Sequence, residues 1–182
     1  MDIPKVTKSE IMYDPKFFQV VKDTLKYSNG NEQPRLKIQI PDGAQVIPFF
    51  PDGTVYMLRQ YRHGAGVVMS HFVSGYIDKG ETPEEAAYRE LGEEVGHTGK
   101  LTFVGAFNPY GGLVTAKNHL FAATELEPIE SHHHDDFEKR EIEVVRVPAK
   151  KVLEDILSGA HNEPISGYAF LLAWNKLGNK LF

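Results

Sequence analysis

The hydrophobic pattern of the chain changes period several times, and each change marks an expected element. Residues 1–42 include YDPKFFQVVKDTLKYSNGNEQPRLKIQI, which mixes aromatic and β-branched residues with turn signals at residues 28–31 and at Pro41-Asp42-Gly43. That pattern predicts two or three strands joined by tight turns. Two further strand-like runs, AQVIPFF (44–50) and TVYMLRQYR (54–62), flank Pro51-Asp52-Gly53. Proline presets φ and glycine accepts φ > 0, so the pair predicts a hairpin. KLTFVGAF (100–107), KNHLFAAT (117–124) and EIEVVRVP (141–148) also read as strands, and AKKVLEDIL (149–157) and ISGYAFLLAWNKLG (165–178) as helices.

Between the early and late strands lies GYIDKGETPEEAAYRELGEEVG, residues 75–96. Thr82-Pro83-Glu84-Glu85 has a threonine N-cap, proline at the first helical position and glutamate at the third, which starts a helix with a capping box. Gly96 is placed to end it. At 100° per residue, Ala87, Tyr88, Leu91 and Val95 share one arc, and Glu90, Glu93 and Glu94 share the next. The first arc is expected to pack. Like charges one turn apart destabilise a helix, so the carboxylate arc needs a positive partner. Arg89 is one; a divalent cation, which prefers oxygen ligands and is often shared with substrate phosphates, is another. Gly75 and Gly80 would let the preceding loop bend closely around such a site. Strands on both sides of a central helix, followed by a helical tail, predict an α/β sandwich.

Composition narrows the function. The chain has 182 residues, 41% hydrophobic content and a net charge of -5, enough for a core but with no basic field to attract nucleic acid. It has no cysteine, which removes disulfides and thiolate chemistry and fits a reducing compartment. MDIPKVTKSE lacks the apolar region of a signal peptide, and no apolar run is long enough to cross a bilayer; the expected location is cytoplasmic, with no membrane partner.

Gly75, Glu81 and Arg89-Glu90-Leu91-Gly92-Glu93-Glu94-Val95-Gly96 together resemble the Nudix box, with eight of its nine defined positions present. Such a match arises by chance on the order of once in 10⁸ placements. The ninth position, normally apolar, is His97. The resemblance implies an α/β/α Nudix sandwich with a mixed sheet over residues 43–182. It also implies Mg²⁺ or Mn²⁺ as cofactor, Glu90 and Glu94 as metal ligands together with the Ser74 carbonyl, Glu93 as a further ligand or base, and Glu81 acting through water or Arg89.

The segments MYDPKFFQVVKDTLKYSNG, PDGAQVIPFFPDGTVYMLRQYRHGAG and EIEVVRVPAKKVLEDILSG are similar to the ADP-ribose and nucleoside diphosphate sugar pyrophosphatases of that family. They imply hydrolysis of a nucleoside diphosphate sugar to a nucleoside monophosphate and a sugar phosphate. They further imply that residues 1–42 form a β-rich arm crossing to a second copy in a homodimer, where Phe17, Phe18 or Tyr27 stacks on a base or packs in a core. Arg59 and Arg62 could bind phosphate, and three-residue spacing on a strand points them to opposite faces. In AFNPYGGLVTAKNHLF the turn residues of the subfamily are present, but Ala116 or Lys117 stands where a glutamate is expected, which favours a broader sugar-nucleotide range over strict ADP-ribose. A catalytic base is expected in the acidic loop SHHHDDFEKREIEV, as Glu138 or Glu141. The three histidines there read as solvated, since hard Mg²⁺ does not seek imidazole, and His71, His119 and His161 as packing or surface residues. Competing readings are hydrolysis of dinucleoside polyphosphates, nucleoside triphosphates or capped RNA, and a non-catalytic nucleotide-sugar sensor.

Overall fold

The computed structural model describes residues 1–130 and 142–178. The chain divides into two compact units, one of Met1–Asp42 with Phe107–Asn118, the other of Gly43–Ala106 with His119 onward. In the first unit β1 (Lys5–Tyr13), β2 (Gln19–Lys26) and β3 (Glu32–Gln39) form an antiparallel meander in that order. Val21 and Asp23 of the central strand are buried, and Asp23 is compensated by Lys37 Nζ at 2.7 Å and Ser9 Oγ at 2.6 Å. Those bonds, Lys37 first, hold its carboxyl below the usual range. Gly30 makes the β2–β3 turn with φ of 85°, which glycine adopts without steric cost. The segment Phe107–Asn118 joins this unit through a parallel bridge between Ile38 and Val114 and a bond from Lys117 N–H to Asp42 at 2.8 Å. Asn108 closes the loop on the carbonyls of Thr115 and Ala116.

The second unit carries a four-stranded sheet and a three-stranded sheet. The first has β4 (Gly43–Pro48), β7 (Val73–Tyr76), β8 (His97–Phe107) and β9 (Asn118–Pro128) in the order β7-β4-β9-β8, and the second has β5 (Thr54–Arg62), β6 (Val67–His71) and β10 (Ile142–Pro148) in the order β10-β5-β6. The helices among the described residues are α1 (Pro83–Val95), α2 (Ala149–Ser158) and α3 (Pro164–Ala173), the last continued by a π-helical turn at Trp174–Gly178. None of the helices found there is long and apolar enough to cross a membrane.

Every residue of β4 is buried, as an interior strand covered on both faces must be. Successive side chains alternate between those faces. Ala44 and Val46 pack with Leu58, Val73, Ala86, Ala87, Leu91 and Phe121, which seats α1. Gln45 turns the other way and donates to Ser166 Oγ of α3 at 2.9 Å. On that side Phe170 stacks on Phe72 at 5.8 Å and meets Phe49 at 6.1 Å. The architecture is the mixed α/β sandwich that the order of elements predicts.

Three expectations change. Residues 51–53 do turn, with Gly53 at φ 84°, but β4 and β5 belong to different sheets, and next to the turn the chain pairs through the isolated Phe49–Val55 bridge just past the end of β4. Pro48, which donates nothing to a ladder, ends β4 there. β6 and β7 had no sequence signal: VVMSH and VSGY are short and interrupted by polar residues. Tyr88 is 40% exposed rather than packed, and Ala86 fills the apolar face in its place.

Candidate active site

Helix α1 is fixed at both ends. Thr82 Oγ1 accepts from Glu85 N–H at 3.2 Å while Thr82 N–H donates to Glu85 Oε2 at 2.8 Å. The bond from Thr82 N–H, and after it one that Thr82 Oγ1 donates to the same Glu85 oxygen at 2.7 Å, lower the Glu85 pKa. At the other end Gly96 takes φ 66°, its N–H directed at the carbonyls of Gly92 and Leu91. With Ala86, Ala87 and Leu91 in the core, the rotation of the helix is set. Glu90, Glu93 and Glu94 must then emerge on the side facing β7 and the turn that follows it.

Glu90 is only 9% exposed, and its carboxylate lies against the backbone of β7. A Cβ at Gly75 would overlap Oε1 and Cδ of Glu90 and come within 2.7 Å of Oε2. Gly75 is therefore required by close approach and sits in a strand, whereas Gly80, at φ 93°, serves the turn. One residue earlier, Ser74 N–H donates to Glu94 Oε2 at 2.8 Å. Strand and helix are thus tied together through two of the three carboxylates.

Arg89 organises the rest. Its Nε donates to Glu81 Oε1 at 2.9 Å and its Nη2 to Glu81 Oε2 at 3.0 Å, a two-point grip suited to a guanidinium. Nη2 also donates to the Tyr76 carbonyl at 2.9 Å. Nη1 alone serves the carboxylate face, at 2.6 Å from Glu90 Oε1 and 3.1 Å from Glu93 Oε2. The bond to Glu81, followed by those to Glu90 and Glu93, raises the Arg89 pKa, so its charge is permanent. Glu81 is correspondingly held below the ordinary carboxylate range, first by Arg89 and then by the Asp78 N–H at 3.0 Å.

Ser74, Gly75, Glu81, Arg89, Glu90, Glu93 and Glu94 are therefore gathered in one place, as their spacing suggests. The carbonyl of Tyr76 and the N–H of Asp78 also take part; backbone groups carry no mark in a sequence, so no residue type could have revealed them. Among the described residues no three His, Cys, Asp or Glu side chains stand in a metal-holding group; Arg89 engages one oxygen each of Glu90 and Glu93, and the Ser74 N–H one oxygen of Glu94. The donor set nevertheless fits a hard divalent cation: carboxylates and backbone carbonyls, no sulfur, and a glycine cradle that brings backbone against Glu90.

A family model described as NUDIX domain matches residues 40–166. The chain belongs to the Nudix family. It is 28% identical over 166 residues to ADP-ribose pyrophosphatase of Bacillus subtilis, covering 91% of this chain and 89% of that one. It is 29% identical over 128 residues to the ADP compounds hydrolase NudE of Escherichia coli, covering 69% and 68% of the two chains. A crystal structure of an ADP compounds hydrolase superimposes with a TM-score of 0.84 at 28% identity, over 98% of this chain and 97% of the other. Nudix hydrolases generally need a divalent cation, in agreement with the donor set.

The other candidate residues among those described take part in none of the bonds just given. Arg59 pairs at 2.8 Å with Glu143, its cross-strand neighbour on β10, at an exposed position. Arg62 ends β5, and its charge, after burial, depresses the pKa of His71. Phe17, Phe18 and Tyr27 belong to the first unit. Phe17 is 69% exposed and Phe18 38% exposed, so neither is core; Phe18 meets Tyr13 at 5.9 Å and Lys16 lies over Phe17. Tyr27 is half-buried. Glu138, Glu141 and His132 to His134 lie outside the described residues. His97, the departure from the Nudix box, packs edge-on against Tyr56 at 5.3 Å and Phe50 at 5.8 Å. An aromatic ring thus fills the apolar role, and its Nδ1 reaches the Val95 carbonyl at 2.7 Å.

Proposed function

We propose that the protein hydrolyses the pyrophosphate bond of a nucleoside diphosphate sugar, such as ADP-ribose or ADP-glucose, to a nucleoside monophosphate and a sugar phosphate, using Mg²⁺ or Mn²⁺. The observation that carries this reading is the Glu90, Glu93 and Glu94 face of α1, seated against Ser74 and Gly75 and braced by Arg89. The names of the relatives, ADP-ribose pyrophosphatase and ADP compounds hydrolase, support the substrate class.

Glu90, Glu94 and the Ser74 carbonyl would hold the cation, with Glu93 as a further ligand or as a base. When bound, the cation supplies charge neutralisation of the diphosphate and Lewis acidity at phosphorus. Arg89 keeps Glu90 and Glu93 aligned. Glu138 or Glu141 is the candidate to accept the proton of the attacking water. Arg59 or Arg62 would contribute to phosphate binding, and Phe17, Phe18 or Tyr27 to base stacking.

The arm supports a homodimer: Val6, Ile11, Met12, Tyr13 and Leu36 of its strands are exposed apolar residues, an array that a second copy would cover. A light-scattering mass of one 20.5 kDa chain would remove that part. The absence of cysteine fits a cytoplasmic location, which cell fractionation tests.

The central test is a substrate panel with Mg²⁺: ADP-ribose, ADP-glucose, other sugar nucleotides, a dinucleoside polyphosphate, triphosphates and capped RNA. Release of a nucleoside monophosphate from sugar nucleotides is expected, with Glu94→Gln lowering kcat by about 100-fold or more. Preference for triphosphates or RNA would overturn the substrate class, turnover of no compound would indicate a sensor, and an unimpaired Glu94→Gln protein would remove the metal site.

A further inference from the structure

Arg89 divides its guanidinium between two tasks. The Nε and Nη2 edge holds Glu81 and the Tyr76 carbonyl, while Nη1 alone reaches Glu90 and Glu93. Nη1 therefore bridges two carboxylates of the face that the proposed reaction assigns to the cation. The bridge also offsets part of the repulsion among acids one turn apart on α1: one positive charge is shared by Glu81, Glu90 and Glu93.

We infer that Arg89 Nη1 competes with a divalent cation for the carboxylates of Glu90 and Glu93. Cation entry requires Nη1 to leave, and the guanidinium can swing out on its opposite edge because the two-point bond to Glu81 and the bond to Tyr76 keep it attached. Arg89 is thus a positioning residue with two opposed effects. It lets the chain fold without the cation, and it weakens the cation's hold, which favours exchange of metal and release of anionic product. Glu81 acts in this device as the anchor of the hinge.

This inference rests on the metal reading of the proposed function, and the test separates the two. Mn²⁺ binding is measured by calorimetry and by loss of the free-ion resonance signal, and melting temperature is recorded with and without Mg²⁺, for wild type, Arg89→Lys, Arg89→Gln and Glu90→Gln. Removing one charge-assisted bond from each carboxylate predicts Mn²⁺ affinity about tenfold higher in both Arg89 variants. Both should melt lower than wild type without metal and gain more from adding it. Lysine retains the charge but cannot grip Glu81 at two points while reaching Glu90 and Glu93, so Arg89→Lys carries the test if Arg89→Gln does not fold. Equal or weaker binding by both Arg89 variants would overturn the competition and leave the metal site standing. Tighter binding by Arg89→Gln alone would reduce the effect to net charge and overturn the bridge. A wild type that binds no Mn²⁺, or Glu90→Gln binding like wild type, would remove the metal reading and the inference with it.

Discussion

Gly75 is the residue whose role is most sharply defined by contact. Because a Cβ there would overlap the Glu90 carboxylate rather than backbone, Gly75→Ala is expected to displace a flexible side chain and leave the strand intact. The fold should survive, since the clashing atoms can rotate away. The chemistry should not, because Glu90 would leave the face shared with Glu93 and Glu94. A misplacement of about 1 Å costs on the order of 100-fold in rate, so Gly75→Ala should lose roughly that in kcat while its melting temperature moves by no more than a few degrees. A variant with normal kcat would show that Glu90 need not lie against β7. Unfolding on substitution would instead make Gly75 a requirement of the sheet.

At the scale of elements, α1 was legible because three independent signals agree: a capping box at Thr82 and Glu85, an apolar period that buries Ala87 and Leu91, and a left-handed terminator at Gly96. Acids at 90, 93 and 94 inherit their common face from that geometry. β6 and β7 were not legible, since each is five residues or fewer and their pairing with β5 and β4 is decided by tertiary contacts. The divergence of β4 from β5 was hidden for a similar reason: a proline-glycine turn predicts reversal of the chain, but not whether the strands on either side remain paired. The Arg89 network was half legible, its acidic partners visible and its carbonyl partner not. The cap can be tested on its own. Thr82→Ala removes the oxygen that accepts Glu85 N–H and should cost about 1 kcal/mol, a fall of about 2–4 °C in melting temperature for a chain of this size. Its kcat should stay within about twofold of wild type, because packing of Ala86, Ala87 and Leu91 still sets the rotation of the helix. A large loss of kcat without loss of stability would mean that the cap itself tunes the carboxylates.

For the molecule as a whole, the buried histidines set how stability responds to acid. His71 is 2% exposed, with Nδ1 at 2.9 Å from the Phe72 carbonyl and Nε2 buried without a partner. Burial, ahead of the nearby charge of Arg62, pushes its pKa below the ordinary 6.5. His161, half-buried beside the start of α3, is lowered by burial as well. In the unfolded chain both titrate near 6.5, so below that pH the unfolded state binds more protons than the folded one. Stability therefore rises with pH through this window. The contribution is fully present above about 6.5 and is lost progressively as pH falls below it. Glu81 and Asp23, whose pKa values are depressed from 4.5 and 3.8, act in a separate window. Their contribution is present above those values and disappears only in stronger acid. Urea unfolding followed from about pH 7.5 to about pH 5.5 should then show stability falling before Glu81 and Asp23 titrate. A His71→Gln, His161→Gln double variant should flatten that segment while keeping the acidic limb. Persistence of the same slope in the double variant would assign the upper window to other groups, and a wild type with no slope there would mean that both imidazoles take up protons in place within the fold.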